Sequence, residues 1–163
     1  MSSTHHDTIT WSMMLRKLPS IIKALPRVAK GLKLANVKQP DQPCGLAFTF
    51  EQATVRNPDG PALLHGSVSL TYAQVNQWAN RIAHHLLAQG IGKGDVVGVF
   101  IENRPELLVT VLAVAKVGAI SAMLNTSQTQ QALLHSVNLV KPAAIVVGGE
   151  LVQAYSAIRQ QVA

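Results

Sequence analysis

The stretch Val96-Val-Gly-Val-Phe-Ile101, then Glu102-Asn-Arg104, then Pro105-Glu-Leu-Leu-Val-Thr-Val-Leu-Ala-Val-Ala-Lys-Val117 decides the fold. Its first run is apolar without interruption and of strand length, so it lacks the period-2 alternation of a sheet with one wet face. Pro105 suits the first position of a helix, where its missing N–H costs nothing, and Gly118 supplies the stop. Residues 106–117 are apolar nearly all round, which predicts a buried helix rather than one docked by a single stripe. Residues 119–124 repeat the strand signal, Asn125-Thr-Ser127 is a turn, and residues 129–140 form another helix. Lys141-Pro142 breaks that helix before a third strand at 143–147, and Gly148-Gly149 turns into a last helix at 150–161. Strands of this kind, separated by helices, are parallel and covered on both faces. The predicted class is α/β, a partial doubly wound sheet with three parallel strands in βαβαβα order and right-handed crossovers.

Upstream, residues 48–56 read as a short helix ended by Asn57-Pro-Asp-Gly60. Residues 62–65 and 68–70 flank Gly66-Ser67, the signature of a small hairpin. Thr71 follows as a helix cap, and Gln74 completes a capping box three residues on. Val75, Trp78, Ala79, Ile82 and Leu86 line one face of that helix, and Gly90 is its left-handed stop.

A chain of 163 residues suffices for one domain, which at this size buries roughly 70% of its unfolded surface. With 48% hydrophobic and only 13% charged residues, it is not a disordered chain. The single cysteine, Cys44, excludes an internal disulfide framework and a Cys-based zinc cluster. The six histidines, among them His5, His6, His84 and His85, show no metalloprotease or zinc-finger spacing, so no metal site is expected. No apolar run reaches the length of a membrane span. Met1-Ser-Ser-Thr-His-His-Asp7 lacks the basic start and apolar core of a secretory signal, and a cytoplasmic location is expected.

The net charge of +6 is concentrated at one end. Residues 1–43 hold seven Lys and Arg against two Asp, whereas residues 44–163 hold seven against six acids. Apolar residues at Trp11, Met14, Leu15, Leu18, Ile21, Ile22, Leu25, Val28, Ala29 and Leu32 fill one side of a helical wheel. The six bases from Arg16 to Lys33 occupy the other. Such a basic amphipathic arm fits an anionic membrane surface, peripheral on the inner face; the alternative is that its stripe packs on the protein's own body. Pro19 and Pro26 predict a helix broken or kinked into short pieces. Nucleic acid is not expected, because the arm carries one aromatic and no series of stacking platforms. Lys38-Gln-Pro-Asp-Gln-Pro43 is a polar linker, dividing the chain into an arm at 1–43 and a body at 44–163.

Gly90-Ile-Gly-Lys-Gly94 looks like a phosphate loop only superficially, since it follows a helix and opens a strand, the reverse of a nucleotide fingerprint. Glu102, Asn103 and Arg104 sit at the carboxyl end of a strand, where open α/β sheets bind ligands. They read rather as a loop whose Glu and Arg are solvated or paired, with Asn103 able to cap the next helix. His135 reads as a hydrogen-bonded, half-buried histidine rather than a base, because no triad partner stands near it in any motif. His84 and His85 fall on the exposed side of their helix.

Leu70-Thr-Tyr-Ala-Gln-Val-Asn-Gln-Trp-Ala-Asn-Arg-Ile-Ala83 followed by Gly90-Ile-Gly-Lys-Gly-Asp-Val-Val97 resembles the opening of the AMP-forming acyl-CoA synthetases. Glu102-Asn-Arg-Pro-Glu106 and Ala115-Lys-Val-Gly-Ala119 extend the likeness. Leu124-Asn-Thr126 and Leu133-Leu-His-Ser136 resemble the branch of long-chain and very-long-chain fatty-acid ligases and fatty-acid transport proteins, although Ser127-Gln-Thr129 departs from the Asn-Leu-Arg of many members. The resemblance covers residues 48–150. It implies a two-step reaction in the full family: fatty acid attacks the α-phosphate of ATP to give an acyl-adenylate and pyrophosphate, and coenzyme A then takes the acyl group. That chemistry needs a phosphate loop, Mg²⁺, a ribose-gripping acid and a mobile lid lysine. The family's loop, roughly Thr-Ser-Gly-Thr-Thr-Gly with a nearby Lys, does not occur in the sequence. No catalytic residue, cofactor-binding residue or metal ligand therefore carries over. The expectation is an amino-terminal piece of a long-chain fatty-acid–CoA ligase, inactive alone, with ATP, Mg²⁺ and coenzyme A belonging to the full-length enzyme. A membrane-attached, non-catalytic α/β binding module is the alternative. Half of a doubly wound sheet is also expected to expose a sheet edge and apolar helix surface, leaving the isolated chain poorly soluble, oligomeric or dependent on a complementing partner.

Overall fold

The computed structural model describes residues 11–35 and 44–162. The chain divides into two compact units, Met1–Gln42 and Pro43–Ala163. The polar linker expected at 38–43 lies outside the described residues.

In the first unit one helix, α1, runs over Trp11–Ala35 with Pro19 and Pro26 inside it. Of the break or kink that the sequence predicts at these prolines, the break does not occur, and the helix is continuous through both. Seven residues apart, the prolines share one side of the helix, so the bonds they forfeit lie on that side and the ladder elsewhere persists. The Ser20 hydroxyl donates to the Lys17 carbonyl at 2.7 Å between them. Leu18, Ile22, Leu25, Val28 and Leu32 are exposed, and α1 contains no acidic residue.

The second unit opens with α2, Leu46–Arg56, starting two residues before the predicted helix. Gly45, at φ 101°, turns the chain into it, and the Thr49 amide and hydroxyl both donate to the Gly45 carbonyl at 3.0 and 2.8 Å. Strands β1, Pro61–His65, and β2, Val68–Thr71, form the expected antiparallel hairpin, with His65 opposite Val68. Helix α3, Tyr72–Ala88, starts on the predicted capping box. The Gln74 amide donates to the Thr71 hydroxyl at 3.3 Å, and the Thr71 amide donates to the Gln74 side-chain oxygen at 2.9 Å. Two N–H groups that the helix start leaves orphaned are thereby satisfied. Gly90, at φ +80°, ends the helix as expected.

Strand β3, Val96–Phe100, helix α4, Pro105–Lys116, strand β4, Ile120–Met123, helix α5, Gln130–Val140, and strand β5, Ala144–Val147, follow in order. The strands are all parallel in spatial order β4-β3-β5. The predicted last helix at 150–161 is not continuous. It consists of a 3₁₀ turn at Gly149–Leu151, the short α6 at Val152–Ser156 and a second 3₁₀ turn at Arg159–Gln161. The first turn is tight because the Glu150 side chain folds back across the strand ends to the Glu102 amide.

Each sheet face has its own core. On one face Leu86 and Ile91 meet Val97 and Val114, with Ala144 and Val146 packed alongside, so α3 and α4 cover it. On the other, Phe100 meets Leu124, Leu133, Val137, Leu151 and Ile158, with Ile145 and Val147 alongside, so α5 and α6 cover it. A further cluster of Leu63, Val75, Ala79, Val109, Leu112 and Ala113 joins the hairpin to α3 and α4. Helix α4 is buried as predicted through Val109, Thr110, Leu112, Ala113 and Val114, yet Leu108 is exposed. Lys116, at its end, lays a buried stem against α2 and pairs its ammonium with Glu51. No described helix is long and apolar enough to cross a membrane.

Candidate functional site

Parallel strands deliver their following loops to one end of the sheet, and here β3 and β5 bring residues 101–104 and 148–150 together. Arg104 takes the N-cap position of α4 in extended conformation, and no side chain caps the helix. Asn103, the predicted cap, is exposed and one residue too early. With Pro105 at the first helical position the cap falls on Arg104, whose side chain a salt-bridge network claims. Its Nε and Nη2 donate to the two Glu106 carboxylate oxygens at 2.7 and 2.8 Å, a bidentate fork, and its Nη1 donates to Glu150 Oε2 at 2.7 Å. The other Glu150 oxygen accepts the Glu102 amide at 3.0 Å. Gly148 makes this possible, because a Cβ there would lie 2.2 Å from Glu150 Oε1.

The latch perturbs its own members. Arg104's hydrogen bonds hold the Glu106 carboxyl below its usual range. The Glu102 amide, then Glu150's own amide and Arg104, do the same for Glu150, and the guanidinium is raised in turn. Carboxyls with depressed native pKa values stabilise the fold above the unfolded carboxyl value near 4.5, and that contribution is lost as pH falls through the native values. The expected result is that the stability of the Glu106→Gln/Glu150→Gln variant falls less steeply than that of the parent below about pH 4.5. Thermal melts between neutral pH and pH 3 measure this, and equal slopes would mean that other carboxyls titrate.

Beside the latch a groove runs between α3 and β5. A cavity of about 480 Å³ is lined by Trp78, Arg81, Ile82, His85 and residues 145–147. A second, of about 220 Å³, continues from Trp78 and Ile82 to Arg104, Glu106 and Gly148. Trp78 links the two and is only partly buried.

Chemically the strand ends are poorly suited to an anion. Two carboxylates, Glu106 and Glu150, hold the Arg104 guanidinium through its Nε, Nη1 and Nη2 donors. The Gly90–Gly94 loop opens β3 rather than a helix, and its Gly92 amide is taken by the Asp95 carboxylate at 2.8 Å. Among the described residues no group of three or more His, Cys, Asp or Glu is placed to hold a metal. His135, expected half-buried, is exposed, because Leu133 and Val137 take the inward face of α5 and residue 135 falls on the outer side. His84 and His85 are exposed as expected. Of the candidates read from sequence, the structure joins Arg104 to the Glu102 backbone through Glu150 and leaves Asn103 and His135 outside. Glu150's part in the latch spans 46 and 48 residues of chain, and no local pattern announces it.

Known proteins place this architecture. Residues 50–163 match the family described as AMP-binding enzyme. The chain is 32% identical over 149 residues to the medium/long-chain-fatty-acid–CoA ligase FadD6 of Mycobacterium tuberculosis, covering 91% of this chain and 25% of that one. It is 33% identical over 127 residues to a linear gramicidin synthase polypeptide of Brevibacillus parabrevis, covering 78% of this chain and 2% of the other. Among solved structures, the N-terminal domain of FACL13 from Mycobacterium tuberculosis superimposes with a TM-score of 0.67 at 29% identity, over 72% of this chain and 30% of that domain. The chain thus spans about a quarter of the length of the fatty-acid ligase relative and under a third of the solved domain. By its sequence match and by its parallel α/β sheet, the chain belongs to the AMP-binding enzyme family.

Proposed function

We propose that this chain supplies the leading, structural part of the adenylating domain of a long-chain fatty-acid–CoA ligase and has no ligase activity by itself. The observation that carries the reading is the Arg104–Glu106–Glu150 latch, which fills the strand ends where open α/β sheets take ligands and presents carboxylates there. Members of the family that are fatty-acid ligases use ATP and coenzyme A. The residues of this chain do not fit the triphosphate: the sequence lacks the family's Thr-Ser-Gly-Thr-Thr-Gly loop with its nearby Lys, and Arg104 at the strand ends is engaged by two carboxylates. The substrate class rests on the fatty-acid ligase relatives. A linear gramicidin synthase polypeptide matches at similar identity, so this part of the domain is common to enzymes of differently named products. The test is fatty-acid-dependent ATP–pyrophosphate exchange by the purified chain with palmitate and Mg²⁺. No exchange above a mock preparation is expected, and exchange that copurifies with the chain would overturn the reading.

A second reading concerns residues 1–43 as an arm separate from the body at 44–163. The exposed Leu18, Ile22, Leu25, Val28 and Leu32, on a helix with six bases and no acid, favour an anionic bilayer on the cytoplasmic side. Binding to phosphatidylserine-containing vesicles is expected to weaken with salt, each base contributing at most ~1 kcal/mol, and deletion of residues 1–38 is expected to remove most of it. Equal binding by the truncated chain would make the arm a packing element.

A further inference from the structure

Strand β5 pairs with β3 on one side, and among the described residues nothing pairs with its other side. All four of its residues, Ala144–Val147, are partly exposed, unlike those of β3, where Val97, Val99 and Phe100 are at most 1% exposed. The Leu124 amide takes the Val99 carbonyl on the β4 side, and the Gly148 amide takes the Phe100 carbonyl on the β5 side. Alternation then sets the Ala144 and Val146 amides toward β3 and turns the Ile145 and Val147 amides toward the free edge. The groove along that edge is walled by Trp78, Ile82 and Val146, so both a hydrogen-bonding edge and an apolar wall await an occupant.

Chirality says from which direction a strand arrives. The connection from β3 to β4 runs through α4 on the face of Val97 and Val146, and the connection from β4 to β5 returns past β3 through α5 on the opposite face. Steps in opposite directions over opposite faces have the same hand, as right-handed crossovers require. α6 lies on the α5 face, with Tyr155 and Ala154 against the Phe100 cluster. A strand connected through α6 with the same hand therefore steps in the direction of β4 to β5, outward past β5.

Resting on the function proposed above, we infer that the outer edge of β5 with the Trp78–Ile82 groove is the docking site for one parallel, apolar β-strand belonging to the part of the AMP-binding fold that this chain does not span. The solved N-terminal domain it resembles is covered only to 30%, so most of a single domain remains to supply that strand. The edge of β4, with Ile120 and Met123 exposed, is the competing site, but no crossover of the observed hand from α6 reaches it.

The experiment adds to the full chain, in trans, the remainder of FadD6 that follows its matched portion, expressed as a separate polypeptide, and follows amide hydrogen exchange residue by residue. Exchange at Ile145 and Val147 is expected to slow by at least about tenfold, as for a ladder that opens only with a larger unit. Protection at residues 120–123 alone, protection at β5 in the chain before any addition, or no association at micromolar concentrations overturns the inference. ATP–pyrophosphate exchange on the mixture separates the two claims. Protected β5 amides without activity uphold the docking site and sink the ligase reading, whereas activity without protection does the reverse.

Discussion

Phe100→Ala is expected to cost about 3–5 kcal/mol, a large share of the roughly 5–15 kcal/mol that holds a domain together. Phe100 is fully buried at the end of the central strand, where it meets Leu133 and Val137 of α5 and Leu151 and Ile158 of the closing segment. Removing the ring leaves a cavity that a strand held from both sides cannot collapse into, so the lost transfer energy and the cavity add. Urea titration followed by far-UV circular dichroism gives the difference between variant and parent. A loss below about 1 kcal/mol would mean that α5 and α6 do not close a packed core on this face.

The second large effect comes from adding atoms rather than removing them. Gly98 lies opposite Ile145 in the parallel register, and a Cβ built on it would come within 3.1 Å of Ile145 Cγ1. Gly98→Ala is therefore expected to destabilise by about 1–3 kcal/mol, since a close-packed interior accommodates even one methyl poorly. Pairing it with Ile145→Val trims the opposing side chain and is expected to recover part of the loss, making the two changes non-additive. The same denaturation experiment checks this. Strict additivity would show that the contact between β3 and β5 at this level is loose.

Most of the fold is legible in the sequence because its signals are local. The unalternating run at 96–100, Pro105 at a helix start, the Thr71–Gln74 box and Gly66-Ser67 between two short strands each act within a few residues, and each stands where expected. The departures share a different physics. Pro19 and Pro26 each forfeit one bond of the ladder, and the remaining turns of the 25-residue helix carry it through both. The segment after β5 has a composition that allows one helix, yet the reach of Glu150 to the Glu102 amide and Arg104 tightens its first turn. Asn103 is the better cap by residue type, but Pro105 at the first helical position puts the cap at residue 104. The latch and the groove depend on groups that approach only after the sheet has formed, and sequence spacing carries no trace of them. That the family's phosphate loop is missing, by contrast, is already visible in the sequence, where no Thr-Ser-Gly-Thr-Thr-Gly run occurs.

If this chain is the leading part of a fatty-acid ligase domain, it should function in the place of its counterpart. The decisive measurement is palmitate-dependent ATP–pyrophosphate exchange by a chimera in which residues 1–163 replace the matched leading portion of FadD6. The expected result is exchange clearly above that of either piece alone, from a protein that melts cooperatively. A chimera that melts cooperatively and shows no exchange would mean that this sheet, with its latch at the strand ends, does not serve an adenylating ligase.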